Sequence, residues 1–237
     1  MIKNIKGLIF DYGGTLDTAG CHWGKMLWRA YQRQHVPVTE EQFREAYVYA
    51  ERTLGRNPII QSGYTFHKTL EVKIRIEMEY LCTSGAWNAN EKEFHAKHDA
   101  VLDDLYAEVQ QITKYSISVL QKLHERYPMV LVSNFYGNIN EVLKEFGFDG
   151  LFVEVIESAV VGIRKPNPEI FTLGVNALGL QPSETVVIGD SFYKDIEPAV
   201  KAGCHTVWFK GEGWTDAKYD ESVPDQIITD LSQLIEE

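Results

Sequence analysis

The chain has 237 residues, of which 44% are hydrophobic and 24% are charged, as expected for a soluble globular protein with a sizeable core. Its formal net charge is −11, which argues against a nucleic-acid partner because phosphate backbones are bound through clustered Lys and Arg. A small phosphorylated substrate stays compatible with this charge, since a metal ion and one or two local cations can offset it.

The cysteines and the N-terminal segment bear on where the protein is found. Cys21, Cys82 and Cys204 are far apart and form no CxxC pair, so a disulfide framework is not expected and a reduced, cytoplasmic setting is. The apolar run near the N-terminus is too short for a signal peptide, and no apolar stretch is long enough to cross a membrane. We therefore expect no membrane association.

The first predicted strand covers residues 5–11 and ends at Asp11, which Gly13 and Gly14 follow at once. A carboxylate at the end of a parallel strand, backed by flexible glycines, is placed to meet a ligand. Gly13 has no side chain at the position where a second carboxylate could take part in proton transfer. Asp11 can therefore attack or bind, but its nearest potential proton-transfer partner is missing.

The segment 18–111 contains no convincing strand and is predicted to form four helices. Capping boxes at Thr39–Gln42 and Asn90–Glu93 mark two of the starts. Apolar residues recur at helical spacing, and their aromatic members are expected to be core. The predicted helices are 22–35, 39–54, 65–81 and 90–109. A helical insert directly after the first strand would lie over that strand's carboxyl end, as a lid does.

After residue 113 short apolar strands alternate with helical patterns. The strands are predicted at 129–134, 151–157, 185–190, 206–209 and 226–229, and the helices at 138–147, 168–179 and 195–203 each end in glycine. This pattern predicts an α/β fold with a Rossmann-like, three-layer parallel sheet. We predict a core domain of residues 1–17 plus 112–237 and a helical domain of residues 18–111.

Polar side chains stand at four predicted strand ends or in the loops that follow them. Ligands of open parallel sheets bind outside the carboxyl ends of the strands, so these side chains are expected to converge. Lys165 comes just before a helix start, where Asn167 is a plausible N-cap and Pro168 a good first helical residue. The converging set is Asp11, Ser133, Asn134, Lys165, Asp190 and Asp195.

These residue types point to phosphoryl chemistry. Asp11 is a competent nucleophile toward phosphorus, which would give an aspartyl-phosphate. Mg²⁺ prefers hard oxygen ligands, and Asp11, Asp190 and the backbone carbonyl of Gly13 could hold it. Lys165 could offset the charge of the phosphate and of the nucleophile. Asp195 could orient Lys165 or a metal-bound water.

A phosphate subsite is expected beside the nucleophile. Ser133 and the adjacent amides could donate hydrogen bonds to phosphoryl oxygens. We also assign Gly14, Thr15, Asn134 and Lys165 to phosphate binding.

With these residues in this order, the chain resembles the haloacid dehalogenase superfamily over its whole length. FDYGGTL is similar to the first motif of that family, VSN to the second, RKPNPEIF to the third and GDSFYKD to the fourth. The helical insert resembles the family's cap domain in its position after the first strand. The resemblance implies Asp11 as nucleophile and Mg²⁺ ligand, Gly13 as a ligand through its carbonyl, and Asp190 as a metal ligand. It implies that Ser133 binds the phosphoryl group, Lys165 stabilises charge and Asp195 supports the site.

The departure from the family's pattern is at Gly13, where most phosphatases and phosphomutases of the family carry a second Asp. That Asp protonates the leaving oxygen and then activates the hydrolytic water. General acid–base assistance is worth on the order of 10²–10⁴ in rate, and its loss matters most for an alkoxide leaving group. Asp17, His22 or Lys25, just past the turn, could supply a substitute.

The sequence thus predicts a Mg²⁺-dependent phosphatase that acts on a small phosphorylated metabolite. One alternative is a pseudo-enzyme that binds Mg²⁺ and a phosphate ligand, or a partner protein, without turnover. The family's dehalogenases also lack the second Asp, but they need no metal, and this chain keeps both acids of GDSFYKD. The phosphonatases have alanine at the matching position and form an imine with a cap lysine, which no motif identifies here. The substrate and the oligomeric state stay open.

Overall fold

A six-stranded parallel sheet forms the centre of the computed structural model, which describes residues 4–235. The strands are β1 Gly7–Phe10, β2 Met129–Ser133, β3 Glu154–Glu157, β4 Thr185–Gly189, β5 His205–Phe209 and β6 Gln226–Ile228. Their order in the sheet is β3-β2-β1-β4-β5-β6, and every pair of neighbours is parallel. Each strand predicted from the sequence is confirmed, and β1 lies between β2 and β4.

Both faces of the sheet are buried. In β1, Leu8 and Phe10 join one apolar cluster while Ile9 joins the opposite one, and β2 alternates in the same way. This is why the strands read as continuous apolar runs rather than as alternating ones. Helices cover each face, and the predicted three-layer α/β architecture is confirmed.

Eight helices accompany the strands within the described residues. They are α1 Trp23–Arg33, α2 Glu40–Arg56, α3 Phe66–Thr83, α4 Glu91–His124, α5 Ile139–Phe146, α6 Ser158–Val161, α7 Glu169–Leu178 and α8 Glu197–Lys201. The predicted capping box at the start of α2 is confirmed, because Thr39 and Gln42 bond each other's backbone. At the start of α4, Asn90 Oδ1 accepts a hydrogen bond of 3.0 Å from the Glu93 N–H. No helix in residues 4–235 is long and apolar enough to cross a membrane.

Helix α4 runs without interruption for 34 residues. The predicted boundary between residues 111 and 112 falls inside this helix, so the chain has no loop there. In the second half of α4, Ser116 Oγ donates a hydrogen bond of 2.8 Å to the Leu16 carbonyl. The division into residues 1–17 plus 112–237 and 18–111 stays a prediction, and residues 1–3 and 236–237 lie outside the described ones.

Candidate active site

Three neighbouring strand ends place polar residues side by side. Asp11 follows the last residue of β1, Ser133 ends β2, and Asp190 follows the last residue of β4. The β1–β2 and β1–β4 ladders keep these ends in register, with Phe10 opposite both Leu131 and Ile188. The carboxyl edge of the sheet therefore gathers the predicted residues, as parallel topology requires.

Lys165 links two of the carboxylates at this edge. Its Nζ lies 2.6 Å from Asp11 Oδ1 and 2.7 Å from Asp195 Oδ1, and all three side chains are buried. Burial alone would lower the pKa of Lys165, but attraction to Asp11 and Asp195 outweighs it and raises that pKa above its usual range. Asn134 clamps the backbone of Lys165, since its Oδ1 accepts from the Lys165 N–H at 3.0 Å and its Nδ2 donates to the Lys165 carbonyl at 3.1 Å.

A single π-helical turn over Phe192–Ile196 orients Asp195. The Ser191 N–H donates a hydrogen bond of 3.0 Å to Asp195 Oδ2, so both carboxylate oxygens of Asp195 have partners. Gly189 permits this close packing, because a Cβ there would lie 2.5 Å from Asp195 Cβ. The predicted helix at 195–203 thus begins with this turn, and α8 follows it.

Thr15, in the turn after β1, forms hydrogen bonds with Asp190 at the end of β4. Its Oγ1 donates to Asp190 Oδ1 at 3.0 Å and accepts from the Asp190 N–H at 3.0 Å. The same hydroxyl lies 3.4 Å from Asp11 Oδ2. Gly14 has a φ of +102°, and a Cβ at that position would overlap the Asp190 carboxylate. The turn after Asp11 is therefore shaped to bring Asp190 against it.

The site carries more negative than positive charge. Oxygen atoms of Asp11, Asp190 and Asp195 lie within 4.8 Å of one another, and within the described residues Lys165 forms ion pairs with the first and the last of them but not with Asp190. Burial raises the pKa of Asp11 to about 6 although Lys165 opposes the change. Burial, with repulsion from Asp195 and Asp11, raises the pKa of Asp190 well above its usual range. Hard oxygen donors with excess negative charge fit Mg²⁺.

Ser133 supplies an unused hydrogen-bonding group in the same place. Its Oγ is buried and has no hydrogen-bond partner among the described residues. Because Ser133 also lines the cavity, its hydroxyl is free to bond a ligand placed there. Gly14, Thr15 and Asn134 differ from Ser133, because the Gly14 N–H, the Thr15 hydroxyl and the Asn134 amide already have protein partners. Phosphate binding by these three residues stays a prediction.

Of the candidate substitutes for the missing acid, Asp17 is the most deeply buried. It accepts hydrogen bonds from the Gly14 N–H at 2.7 Å and from Trp23 Nε1 at 3.1 Å. Burial raises the pKa of Asp17 to about 8, although the hydrogen bonds from Gly14 and Trp23 to its two oxygens oppose the rise. Asp17 and Trp23 both line the cavity over the strand ends.

The other two candidates differ in position. His22 lines the cavity, and its Nδ1 accepts from the Gly24 N–H at 3.0 Å. Burial lowers the pKa of His22 to about 4, so the ring is neutral. Lys25 instead lies 3.6 Å from Glu40 Oε1 and is not part of the cavity lining.

The cavity has a volume of about 510 Å³ and lies between the helices after β1 and the carboxyl edge of the sheet. It also contains residues that the sequence reasoning missed. Lys73 of α3 is buried, forms an ion pair with Glu51 of α2, and places Nζ 4.7 Å from the centre of the Tyr47 ring. The sequence signal for Lys73 is a charge inside the apolar stripe of α3, next to Ile74.

The amino-acid sequence is similar to those of known phosphatases. Over 98 residues the chain is 37% identical to a glyceraldehyde 3-phosphate phosphatase of Pyrococcus furiosus, a match that spans 40% of each protein. It is 27% identical over 216 residues to a phosphoglycolate phosphatase of Aliivibrio fischeri, covering 87% of this chain and 84% of that one.

Two solved structures share the fold. A dehalogenase matches with a TM-score of 0.64 and 16% identity, covering 99% of this chain and 97% of that one. A predicted phosphoglycolate phosphatase from Haemophilus somnus matches with a TM-score of 0.56 and 22% identity, covering 99% and 98%. A family model described as haloacid dehalogenase-like hydrolase matches residues 5–203. Because that match spans most of the chain, the protein belongs to the haloacid dehalogenase-like hydrolases.

Proposed function

We propose that the protein is a Mg²⁺-dependent phosphatase that acts on a small phosphorylated metabolite through an aspartyl-phosphate at Asp11. One observation carries this proposal. The buried Asp11–Lys165–Asp195 ion-pair chain lies beside the unpartnered Ser133 hydroxyl in a cavity of ligand size. The phosphatase names of the similar proteins support the same class of reaction.

In the first step the Asp11 carboxylate attacks phosphorus. A bond forms between a carboxylate oxygen and phosphorus, the bond from phosphorus to the leaving oxygen breaks, and the leaving group takes the electron pair. Lys165, 2.6 Å from Asp11 Oδ1, keeps the nucleophile ionised against its burial. Ser133 donates its free O–H to a phosphoryl oxygen.

Asp11, Asp190 and the Gly13 carbonyl are the groups that would hold the metal. A bound Mg²⁺ would supply neutralisation of phosphoryl charge and orientation of the phosphoryl group. Asp195 is committed to Lys165 and to the Ser191 N–H, so we assign it to positioning Lys165 rather than to the metal.

In the second step water attacks phosphorus and the Asp11–phosphorus linkage breaks, which releases phosphate and restores the carboxylate. The proton of the water passes to solvent or to the product phosphate, because Gly13 offers no base. Both steps then depend on leaving groups that depart without a proton, and the Asp11 carboxylate is one.

The route through a lysine imine is disfavoured. An imine requires a neutral amine, but attraction to Glu51 outweighs burial and raises the pKa of Lys73 well above its usual range. Lys73 is therefore suited to bind an anionic or polar part of a substrate.

The proposal is tested by measuring phosphate release from a panel of phosphoesters and acyl phosphates, with and without Mg²⁺, for wild type and Asp11→Asn. Asp103→Asn, an exposed Asp on α4, is the matched control. We expect activity that needs Mg²⁺, survives in the control and is lost in Asp11→Asn.

Two outcomes would contradict the proposed phosphatase activity. If no substrate is turned over and Asp11→Asn is indistinguishable from wild type, the proposal is wrong. Tight binding of beryllium fluoride or aluminium fluoride together with inactivity would favour a pseudo-enzyme.

A further inference from the structure

The wall of the cavity is aromatic rather than aliphatic. Ten of its 34 lining residues are Phe, Trp or Tyr, whereas these types make up 12% of the chain. Its aliphatic members are Leu70 and Ala217. Rings offer a face and an edge with opposite partial charge, so such a wall distinguishes a planar π-system from a saturated group of equal size.

The rings stand next to the reacting groups. Phe135 and Tyr136 directly follow the Ser133–Asn134 pair after β2, and all four residues line the cavity. Trp23 lies beside Gly13, with its Nε1 3.9 Å from the position that a Cβ on Gly13 would take. A leaving group departing from phosphorus on the Gly13 side therefore meets the Trp23 ring.

These rings differ from the aromatic residues of the protein core. Trp23, Phe135 and Tyr136 are only partly buried, whereas Phe10 and Phe43 are completely buried. The ring contacts of Trp23 and Phe135 are tilted or edge-on, as in the 44° angle between Trp23 and Phe66, whereas Phe192 and Tyr219 elsewhere in the wall are stacked. Because Trp23, Phe135 and Tyr136 are partly exposed and line the cavity, part of each side chain is open to a ligand there.

The lack of an acid at Gly13 also favours a leaving group that contains an aromatic ring. Without an acid at this position the leaving oxygen departs as an anion. A phenolic oxygen, whose conjugate acid has a pKa of about 10, does so far more readily than an alkoxide, whose conjugate acid is as weak as water.

From these two observations we propose that the protein hydrolyses aryl phosphates, with the aromatic ring of the leaving group packed against Trp23, Phe135 and Tyr136. The inference rests on the proposed phosphatase function. Attack by Asp11 forms the oxygen–phosphorus bond as the phosphorus–aryloxide bond breaks, and the aryloxide leaves with the electron pair. Water then releases phosphate and a proton, and the aryloxide takes up one proton from solvent.

The test compares four substrates in the presence of Mg²⁺: phenyl, benzyl, cyclohexylmethyl and acetyl phosphate. Phenyl and benzyl phosphate both carry a ring but differ in the leaving oxygen. We expect kcat for phenyl phosphate to exceed that for benzyl phosphate by about 10²-fold or more. Benzyl and cyclohexylmethyl phosphate share an alkoxide leaving group, and we expect the aromatic one to have a KM about three- to tenfold lower.

A matched pair of variants tests the ring contact. Trp23→Phe and Trp23→Leu both remove the indole N–H that bonds Asp17, so they differ mainly in whether a ring is present. We expect the ratio of kcat/KM for phenyl phosphate to that for acetyl phosphate to be about three- to tenfold lower in Trp23→Leu than in Trp23→Phe.

Equal kcat for phenyl and benzyl phosphate, or equal KM for the aromatic and saturated rings, overturns the inference. Acetyl phosphate separates this failure from that of the proposed function, since it has a good leaving group and no ring. If acetyl phosphate is hydrolysed at Asp11 while the ring comparisons fail, the phosphatase proposal stands and the aryl preference is wrong. If none of the four substrates releases phosphate, both are wrong.

Discussion

At Gly13 the lack of an acidic side chain can be distinguished from a steric requirement for glycine. Its neighbour Gly14 has a φ of +102° and packs against Asp190, so a side chain there would break the site. A Cβ on Gly13 would instead meet only Trp23 Nε1, at 3.9 Å. A Cβ at Gly13 is therefore free of clashes, so the packing around the backbone does not itself require glycine at this position.

We therefore predict that Gly13→Asp folds as wild type and gains activity on substrates with poor leaving groups. The expected increase in kcat for benzyl phosphate is about 10²-fold, because the new carboxyl group can protonate the leaving alkoxide. The increase for phenyl phosphate is expected to be much smaller. Steady-state kinetics on both substrates measure the effect.

Gly13→Asn is the control, since it has the size of Asp but transfers no proton. An equal gain in Gly13→Asn would assign the effect to packing rather than to acid catalysis. No gain in either variant would mean that another residue already performs proton transfer, with Asp17 as the nearest candidate.

Glu77 of α3 provides a prediction on stability. It is completely buried, accepts a hydrogen bond of 3.1 Å from the Tyr31 O–H, and has its pKa raised by burial from 4.5 to about 7. Between these pH values the folded protein holds a proton that the unfolded chain has released. The contribution of Glu77 to stability therefore falls as the pH rises from 4.5 through 7.

Glu77→Gln should remove this pH dependence while keeping an acceptor for Tyr31. At pH 8 we expect its free energy of unfolding to exceed that of wild type by up to roughly 3 kcal/mol, and the difference to vanish toward pH 4.5. Urea unfolding at several pH values measures it. Glu79→Gln, on the exposed side of the same helix, is expected to show no such trend. A difference for Glu77→Gln that is constant with pH would contradict the prediction.

The site residues that the sequence identified are those that strand topology brings together. Asp11, Ser133 and Asp190 stand at or just beyond strand ends, so a parallel sheet alone makes them neighbours. The hydrogen bonds of Thr15 and Asn134 depend on side-chain contacts over 175 and 31 residues of chain, which no local pattern reveals. Their observed contacts are with the protein rather than with an open phosphate subsite.

Among the elements, strands and helix starts could be predicted well and the end of α4 could not. Buried strands have continuous apolar runs, and α2 and α4 begin at recognisable caps. The predicted domain boundary after residue 111 follows the change from a helical segment to alternating strands and helices, although residues 91–124 contain neither Gly nor Pro to end a helix. The turn at Phe192–Ile196 was missed because contacts of Ser191 and Gly189 shape it.

The continuity of α4 is testable at Gln111, an exposed residue near the middle of the helix. Gln111→Pro removes a backbone hydrogen bond and clashes with the preceding turn, so it should cost about 3 kcal/mol of stability or more. Gln111→Ala, as the control, should be neutral or slightly stabilising. Thermal or urea unfolding of the two variants measures the difference, and equal stabilities would indicate a flexible linker at this position.

The molecule as a whole has one apolar cluster that runs from the sheet into the helices after β1. Phe10 of the sheet, Leu27 of α1 and Met78 of α3 belong to the same cluster, while Ile9 faces a separate one. The helices are therefore packed onto the sheet over the carboxyl edge, and the cavity lies where the two parts meet. Its wall combines acids from strand ends with rings from both parts.

The net charge of the whole protein must be considered when the effect of Mg²⁺ on stability is measured. At −11 the chain attracts any cation, so a divalent ion could stabilise it without a site. A specific site predicts more: at 100 times its dissociation constant Mg²⁺ should add about 2.7 kcal/mol, or roughly 5–10 °C in Tm for a protein of this size. Asp190→Asn should lose that shift, although removing a half-buried carboxylate that is repelled by Asp195 and Asp11 should raise the Tm of the metal-free protein.

Thermal melts of wild type and Asp190→Asn, with Mg²⁺ and with NaCl at equal ionic strength, separate the two effects. A specific site gives a large Mg²⁺ shift in wild type, a small one in the variant and a small one with NaCl in both. Equal Mg²⁺ shifts in the two proteins would show that the ion screens the surface charge and is not held at Asp190. Because Asp190→Asn changes the net charge by one in eleven, screening alone cannot produce a large difference between the two proteins.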